Sequence, residues 1–311
     1  MEESGNYSRR RFLRTLGGAG LLLAGSTGFS SELIAAKRNR TITILHTNDT
    51  HSRIDPFPAG DPKFPGMGGV ARRAELIRRI RSEHEHVLLL DSGDFFQGTP
   101  YFNLFGGEVE LKAMSQMGYD AATLGNHDFD NGADGLARQM QHASFPLLNC
   151  NYAFEDTPLN GLIKPWKIFR RGPYRIGVFG IGIELEGLVS RSMTQGVRYN
   201  DPVAAAQKTA SYLKLEEHCH LVVCLSHLGY RYSDTKVSDT ILAGNTRHID
   251  LILGGHTHTF LDTPIIEKNP DGKQVLIAQS GWGGVRLGRI DIEFDYSDKK
   301  NTLTGSTVNV S

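Results

Sequence analysis

A series of short polar motifs, each set directly after an apolar run, dictates most of what this chain can become. In order they are Asp49-Thr50-His51, Gly93-Asp94, Gly125-Asn126-His127-Asp128 with Asp130 beside it, Ser226-His227, and Gly255-His256-Thr257-His258. Apolar runs of four to eight residues that end in Gly, Asp and His read as buried strands presenting polar side chains at one end. The candidate strands are 41–46, 87–90, 121–124, 146–150, 175–180, 221–225, 251–253, 275–278 and 287–294. Amphipathic stretches over 70–82, 109–117, 136–142 and 202–216 read as helices, the last opened by an Asp201 N-cap and Pro202. The β–α alternation of the first half calls for parallel strands with helices packed outside. No composition break, long linker or repeat divides residues 37–311, so they are expected to form one domain.

The motifs carry carboxylates, an amide oxygen and imidazoles, enough donors for two divalent ions. Asp49 and His51 are two apart at a strand end and face the same way, as do His256 and His258. Asp94 follows a buried strand and a glycine turn, and its two oxygens suit it to bridge two ions; Asp91 is read as a supporting or turn residue. Asn126 offers a neutral oxygen and His227 an imidazole. His127 is better placed as an acid or electrostatic stabiliser than as a ligand, with Asp130 holding its ring. The donors are all O or N, which suits Mn, Zn, Fe or Co. Such a centre fits phosphate-ester hydrolysis by attack of metal-bound hydroxide on phosphorus. Phe95, Phe96, Tyr101, Phe102 and Phe105 are expected to pack beneath a loop. The Pro/Gly-rich loop 52–69 should form the rim.

Basic and acidic residues are balanced at 34 each, which gives no case for a nucleic-acid or membrane-surface binder. Three cysteines make no paired framework, and Cys150 and Cys224, which end apolar runs, are expected to be small buried thiols. Ser8-Arg9-Arg10-Arg11-Phe12-Leu13-Arg14 precedes an uncharged, Gly-rich stretch too weakly apolar to span a membrane. This pattern resembles a twin-arginine export signal over residues 1–36, implying a periplasmic or extracellular protein. No cysteine follows it, so no membrane anchor is expected after cleavage.

The phrases ILHTNDTHS, LLLDSGDFFQGT, LGNHDFD, CLSHLG and GGHTHTF resemble, in order and spacing, the calcineurin-like metallophosphoesterases, and within them the bacterial 5′-nucleotidase branch. GGVARRAELI, YNDPVAAAQ and SGWGGVRLGRIDIEFD resemble its flanking segments, so the likeness covers about residues 41–296. It implies a four-layer α/β/β/α sandwich with two metal ions at the strand C-termini. Asp49, His51, Asp94 and His258 would hold one ion, and Asp94, Asn126, His227 and His256 the other. His127 and Asp130 would be the catalytic pair. The branch also carries a second domain that holds the nucleoside base, which would begin where this chain stops at Ser311. A separate base-binding polypeptide is therefore one expectation. The expected substrate is a small phosphate monoester, a nucleotide foremost. A phosphodiesterase acting on cyclic nucleotides, and a non-enzymatic binding subunit, stand as alternatives.

Overall fold

The computed structural model describes residues 41–294 and 301–311. The twin-arginine-type segment lies outside them. Among the described residues the strands are β1 (Thr41–Thr47), β2 (Val87–Asp91), β3 (Ala121–Ala122), β4 (Tyr152–Ala153), β5 (Trp166–Arg171), β6 (Tyr174–Ile181), β7 (Arg198–Tyr199), β8 (Leu221–Ser226), β9 (Leu251–Leu253), β10 (Ile265–Lys268), β11 (Gln274–Ala278), β12 (Arg286–Phe294) and β13 (Asn301–Asn309). The α-helices are α1 (Val70–Glu83), α2 (Pro100–Phe105), α3 (Glu108–Met117), α4 (Gly132–Gln139), α5 (Pro202–Ser211) and α6 (Asp239–Asn245).

Two sheets form the centre. One has the order β13-β12-β1-β2-β3 and the other β10-β11-β9-β8-β6-β5, with β4 and β7 as a small separate pair. The chemistry-bearing strands are parallel: β1 with β2 and β2 with β3 in the first sheet, β6 with β8, β8 with β9 and β9 with β11 in the second. Side chains alternate across each strand and so divide into separate cores. Ile42, Ile44, Leu88 and Leu90 meet Leu221, Val223 and Leu225 between the sheets. Leu45 and Leu89 point the other way, onto Leu76, Ile77 and Ile80 of α1 and Leu111 and Met114 of α3. Val222, Cys224 and Ile252 pack against Ala206 and Ala210 of α5 and Leu242 of α6. Helix, sheet, sheet, helix is the expected four-layer arrangement, in one domain.

Several expected elements differ. Residues 146–150 form no ladder: the Leu148 amide donates to Ala122 O at 2.8 Å, whereas the Cys150 amide donates to Gly180 O at 2.9 Å. The segment starts beside β3 and ends beside β6, and between the two the Asn149 amide donates to Lys164 O at 2.8 Å. The expected strand 121–124 pairs only over Ala121–Ala122, because the chain beyond turns into the Asn126 loop. The helix expected over 136–142 begins earlier, at Gly132, and ends in a 3₁₀ turn at Met140–His142. That over 202–216 is α-helical to Ser211 and then widens into a π turn over Tyr212–Glu216. Its cap is as read, with Asp201 Oδ1 accepting from the Ala204 amide at 2.7 Å. β13 escapes sequence reading because its Thr, Ser and Asn side chains alternate only partly buried positions at a sheet edge. Cys219 and Cys224 are buried and Cys150 is half-buried, and all three are free thiols.

His46, on β1, is buried, and its Nδ1 has no hydrogen-bond partner. Its ring lies against Gly288 of β12, where any Cβ would collide with it. Burial pushes the imidazole down from 6.5 to about 4. The neutral form is therefore favoured by folding. This contribution is complete above pH 6.5 and is lost as the pH falls toward 4, for a total on the order of 3 kcal/mol. Urea unfolding midpoints followed from pH 7 to 4 should fall less steeply for His46→Leu than for the native chain. Parallel curves would contradict this assignment.

Candidate metal centre

The expected motifs leave their strands at one end of the two sheets. Asp49 and His51 follow β1, Asp94 follows β2, Asn126 to Asp130 follow β3, His227 follows β8, and His256 and His258 follow β9. The turns are tight. Asp49, His51, Asp94, His256 and His258 have φ of 49°, 47°, 55°, 70° and 52°, the left-handed region that side-chain-bearing residues avoid. Such backbone costs about 1–3 kcal/mol per residue and persists only where its surroundings fix it. The β1 and β2 loops fix one another: the amides of Asp49, His51 and Ser52 donate to the carbonyls of Gly93, Asp94 and Phe95 at 2.9, 3.0 and 3.0 Å. The Gly283 amide, after β11, donates to Asp49 O at 2.7 Å.

Asp128, for which sequence reading found no role, clamps the next pair of loops. Its carboxylate accepts from the amides of Gly125, Asp94, Phe95 and Phe96 at 2.8, 3.0, 3.1 and 3.2 Å. Burial, and then the neighbouring Asp94, push this carboxyl well above the usual carboxylate range despite its amide donors. Asn48, also unassigned from sequence, donates through Nδ2 to Asp49 Oδ2 at 2.6 Å and accepts from the Ser280 amide at 2.8 Å. Both are polar residues immediately beside a motif, a signal that sequence offers only once the motif's geometry is known.

All nine expected site residues come together. Asp49, His51 and His258 form one group and Asp94, His227 and His256 a second, with the potential ligand atoms of each group within 4.8 Å of one another. Asn126 joins the second group, its Oδ1 lying 2.9 Å from His256 Nδ1. Asp94 stands between the groups, with Oδ2 3.1 Å from His227 Nε2 and 4.0 Å from His51 Nε2. His258 Nε2 is 3.4 Å from Asp49 Oδ1 and 3.0 Å from His51 Nε2. His127 belongs to neither group; its Nδ1 is 2.8 Å from Asp130 Oδ2. Gly125 has no room for a side chain, since a Cβ there would collide with Asp94 and His227.

His227 tests whether this arrangement fits metal ions. The residue is fully buried, with Nδ1 2.6 Å from Ser92 O, a contact that places the proton on Nδ1. Its buried Nε2 has no hydrogen-bond partner and faces the two carboxylates. An inward lone pair held by an outer backbone bond is the arrangement of a ligand histidine. Without a cation, burial acts to lower His227, but Asp94 and Asp49 outweigh it and take the ring up to about 10. Burial disfavours the charged Asp94 carboxylate, yet His227, His51 and His127 together hold it below the usual carboxylate range. Burial and nearby His227 push His256 down to about 4, leaving it neutral and free to donate a lone pair. His127 moves the other way: its bond to Asp130 raises it against partial burial.

The remaining sequence candidates take structural places. Asp91 accepts from Thr47 Oγ1 at 2.5 Å and from the Gly93 amide at 2.9 Å, with burial pushing it up to about 7. Phe95, Phe96 and Phe102 are buried, as expected, whereas Tyr101 bonds Asp55 at 2.9 Å and Phe105 is exposed. His220 Nδ1 accepts from the Arg175 amide at 3.1 Å.

Comparison with known proteins decides the family. Residues 42–260 match the model for calcineurin-like phosphoesterases. The chain belongs to that family. With membership come hydrolysis of phosphate esters as the class of chemistry and a dinuclear metal centre, for which the two ligand groups are the candidates. The chain is 36% identical over 306 residues to a snake venom 5′-nucleotidase of Gloydius brevicauda, covering 92% of this chain and 50% of the relative. It is 33% identical to the 5′-nucleotidase of Bos taurus, covering 86% of this chain and 49% of that protein. The crystal structure of a 5′-nucleotidase precursor from Thermus thermophilus superposes with a TM-score of 0.78 at 32% identity, over 86% of this chain and 54% of that one. The chain thus spans about half the length of the curated relatives it matches. Among the described residues no helix is long and apolar enough to cross a membrane.

Asp128→Ala should leave the loop amides of four residues without their acceptor. We expect a loss of roughly 3 kcal/mol or more in stability and weaker metal retention, read by thermal unfolding and by metal content after gel filtration. Native melting and native metal content would show that the clamp is dispensable.

Proposed function

We propose that this domain hydrolyses phosphate monoesters, nucleotides foremost, at a two-ion centre. The observation that carries this reading is the position of Asp94 Oδ2 between the two ligand groups, beside the buried, unpartnered Nε2 of His227. Asp49, His51, Asp94 and His258 would hold one ion, and Asp94, Asn126, His227 and His256 the other. Donors limited to O and N suit Mn, Zn, Fe or Co. When bound, the ions would supply Lewis acidity toward water and the phosphoryl oxygens.

The protein's own groups do the rest. Ser92 and Asn48 fix the orientation of His227 and Asp49, so the donor set is organised before substrate arrives. His127 lies 5.3 Å, ring to ring, from His51, at the edge of the centre rather than inside it. Asp130 accepts its Nδ1–H, leaving Nε2 to protonate or stabilise the departing ester oxygen. The nucleotide preference is supported by the 5′-nucleotidase relatives. Residues 37–311 are read as the catalytic domain and residues 1–36 as a twin-arginine-type leader directing it to the periplasm or beyond.

Activity of the metal-loaded protein against AMP, ATP, a cyclic nucleotide, a bis-aryl phosphodiester and an aryl phosphate tests the reading. Phosphate release from AMP or ATP is expected to exceed turnover of either diester. Preferential diester cleavage would overturn the monoesterase reading, and turnover of aryl esters alone would place base recognition outside this domain. Asp94→Ala should lose both ions and activity together. Asp130→Ala should keep the ions, measured by elemental analysis, yet turn over ~10²–10⁴-fold more slowly. An Asp94→Ala enzyme with native turnover would refute the bridging role.

A further inference from the structure

The five-stranded sheet ends in a strand unlike the other edges of the sandwich. β13 pairs with β12 along its whole length, from Asn301 opposite Phe294 to Asn309 opposite Arg286. Among the described residues it has no second neighbour in the sheet. Its nine residues, Asn-Thr-Leu-Thr-Gly-Ser-Thr-Val-Asn, carry no charge and no proline. An edge strand offers a row of unpaired N–H and C=O groups to any other strand, and proteins ordinarily blunt it with charge, shortness or cover. The other edges follow that rule. β5 carries Lys167, Arg170 and Arg171, and β10 has four residues that include Glu267 and Lys268. β3 has two residues, with Leu147 bridged alongside at Ala122. β13 alone among these edges is long and unguarded.

Two features say what would fit it. The first is a near-palindrome in the sequence. In an antiparallel pair of two such strands centred on Gly305, Asn301 of one copy would stand opposite Asn309 of the other. Thr302 would stand opposite Val308, Leu303 opposite Thr307 and Thr304 opposite Ser306. No charges oppose one another, and most of the pairs contain a β-branched residue, which suits cross-strand contact. Even-numbered residues meet even and odd meet odd, so outward peptide groups on one strand meet outward groups on the other.

The second feature is an overhang. Leu303 and Gly305 lie opposite Ile292 and Ile290 of β12, on the face that packs between the two sheets. A Cβ on Gly305 would collide with Pro264, so the residue leading into β10 lies against the middle of β13. Two residues on, Ile266 stands opposite Leu276 of β11 and shares its face. Leu276 is buried between the sheets, yet Ile266 is 55% exposed. The six-stranded sheet thus reaches past the edge of the five-stranded one and leaves an inward isoleucine uncovered by the described residues. One more strand beside β13 would lie beneath it.

We propose that β13 is a self-association edge: two copies of this chain pair β13 against β13, antiparallel about Gly305, and join their five-stranded sheets into one. Such a contact is isologous and closes at two copies. Each partner strand covers the other copy's Ile266. No residue of β13 belongs to either ligand group, so the inference stands independently of the hydrolase reading. Strand pairing with little apolar area makes a small interface, so the dimer forms with Kd on the order of 10 µM.

Sedimentation velocity of the full chain from about 1 to about 200 µM tests this, since the range brackets that Kd. The native chain should pass from monomer to dimer across it. Thr304→Lys/Ser306→Lys sets like charges opposite each other on both sides of the axis and should raise Kd roughly 10-fold or more. Thr304→Lys/Ser306→Glu removes the same side chains but sets opposite charges there, and should dimerise at least as tightly as the native chain. Ile266→Gln, on another strand, should also weaken the dimer. Thermal unfolding of dilute samples separates lost pairing from lost fold, and all variants should melt near the native chain. A native chain that stays monomeric throughout would overturn the proposal. So would a dimer indifferent to these changes, which would lie on another face. Equal weakening by both charge patterns would refute the two-fold about Gly305.

Discussion

Two carboxylates buried almost completely within a few ångströms of the same imidazole, Asp49 and Asp94 about His227, set the terms for this structure. Like charges removed from water repel strongly, and each pays for lost hydration. Their surroundings answer with backbone amides, with an asparagine on Asp49 and with imidazoles on both. The His256 amide bonds Asp49 at 3.0 Å and the His127 amide bonds Asp94 at 2.8 Å. Even so, the balance is struck only by taking up positive charge, which is why His227 is driven up so far despite its burial. A site that stabilises cations this strongly is built for divalent ions.

The left-handed turns follow from the same demand. To bring side chains from β1, β2 and β9 onto one point, the chain must reverse within a residue or two of each strand end, and ordinary backbone cannot do so. The strain is carried by the ligand-bearing residues themselves, and the bonds between neighbouring loops hold it in place. The parallel strands at the heart of each sheet make this possible. Their strands end together at one edge, and helices on the outside leave that edge open. Asp128 extends the same logic to the third loop, because one carboxylate that gathers amides from two loops sets their relative height.

Specificity lies a layer further out. Two ions held by such donors would bind a phosphoryl group and little else, so discrimination between esters would come from what surrounds them. The loop after β1 begins with the candidate ligands Asp49 and His51 and continues to the aromatic rings of Phe57 and Phe64, so candidate ligands and rim share one piece of backbone. Coupling the two in this way limits how far the rim can move without disturbing Asp49.

Sequence alone determined the chemistry and the order of the parts. Apolar runs ending in Gly, Asp, Asn and His located the residues that the fold gathers into the candidate site, because buried parallel strands are legible as runs and their ends as polar breaks. The pairing of His127 with Asp130 was readable from a three-residue spacing that suits one turn of helix. What the sequence did not determine depends on contacts between distant segments. Residues 146–150 look like a strand and instead stitch two sheets together, a choice made by which carbonyls lie within reach. Asp128 and Asn48 look like ordinary turn residues, and only the approach of neighbouring loops turns them into clamps. The place of Asp94 between the two ligand groups, the inward Nε2 of His227 and the row of rings from Phe64 to Trp282 are likewise products of the fold. Local pattern encodes which residues are polar at a strand end; only the packing of two sheets decides which of them meet.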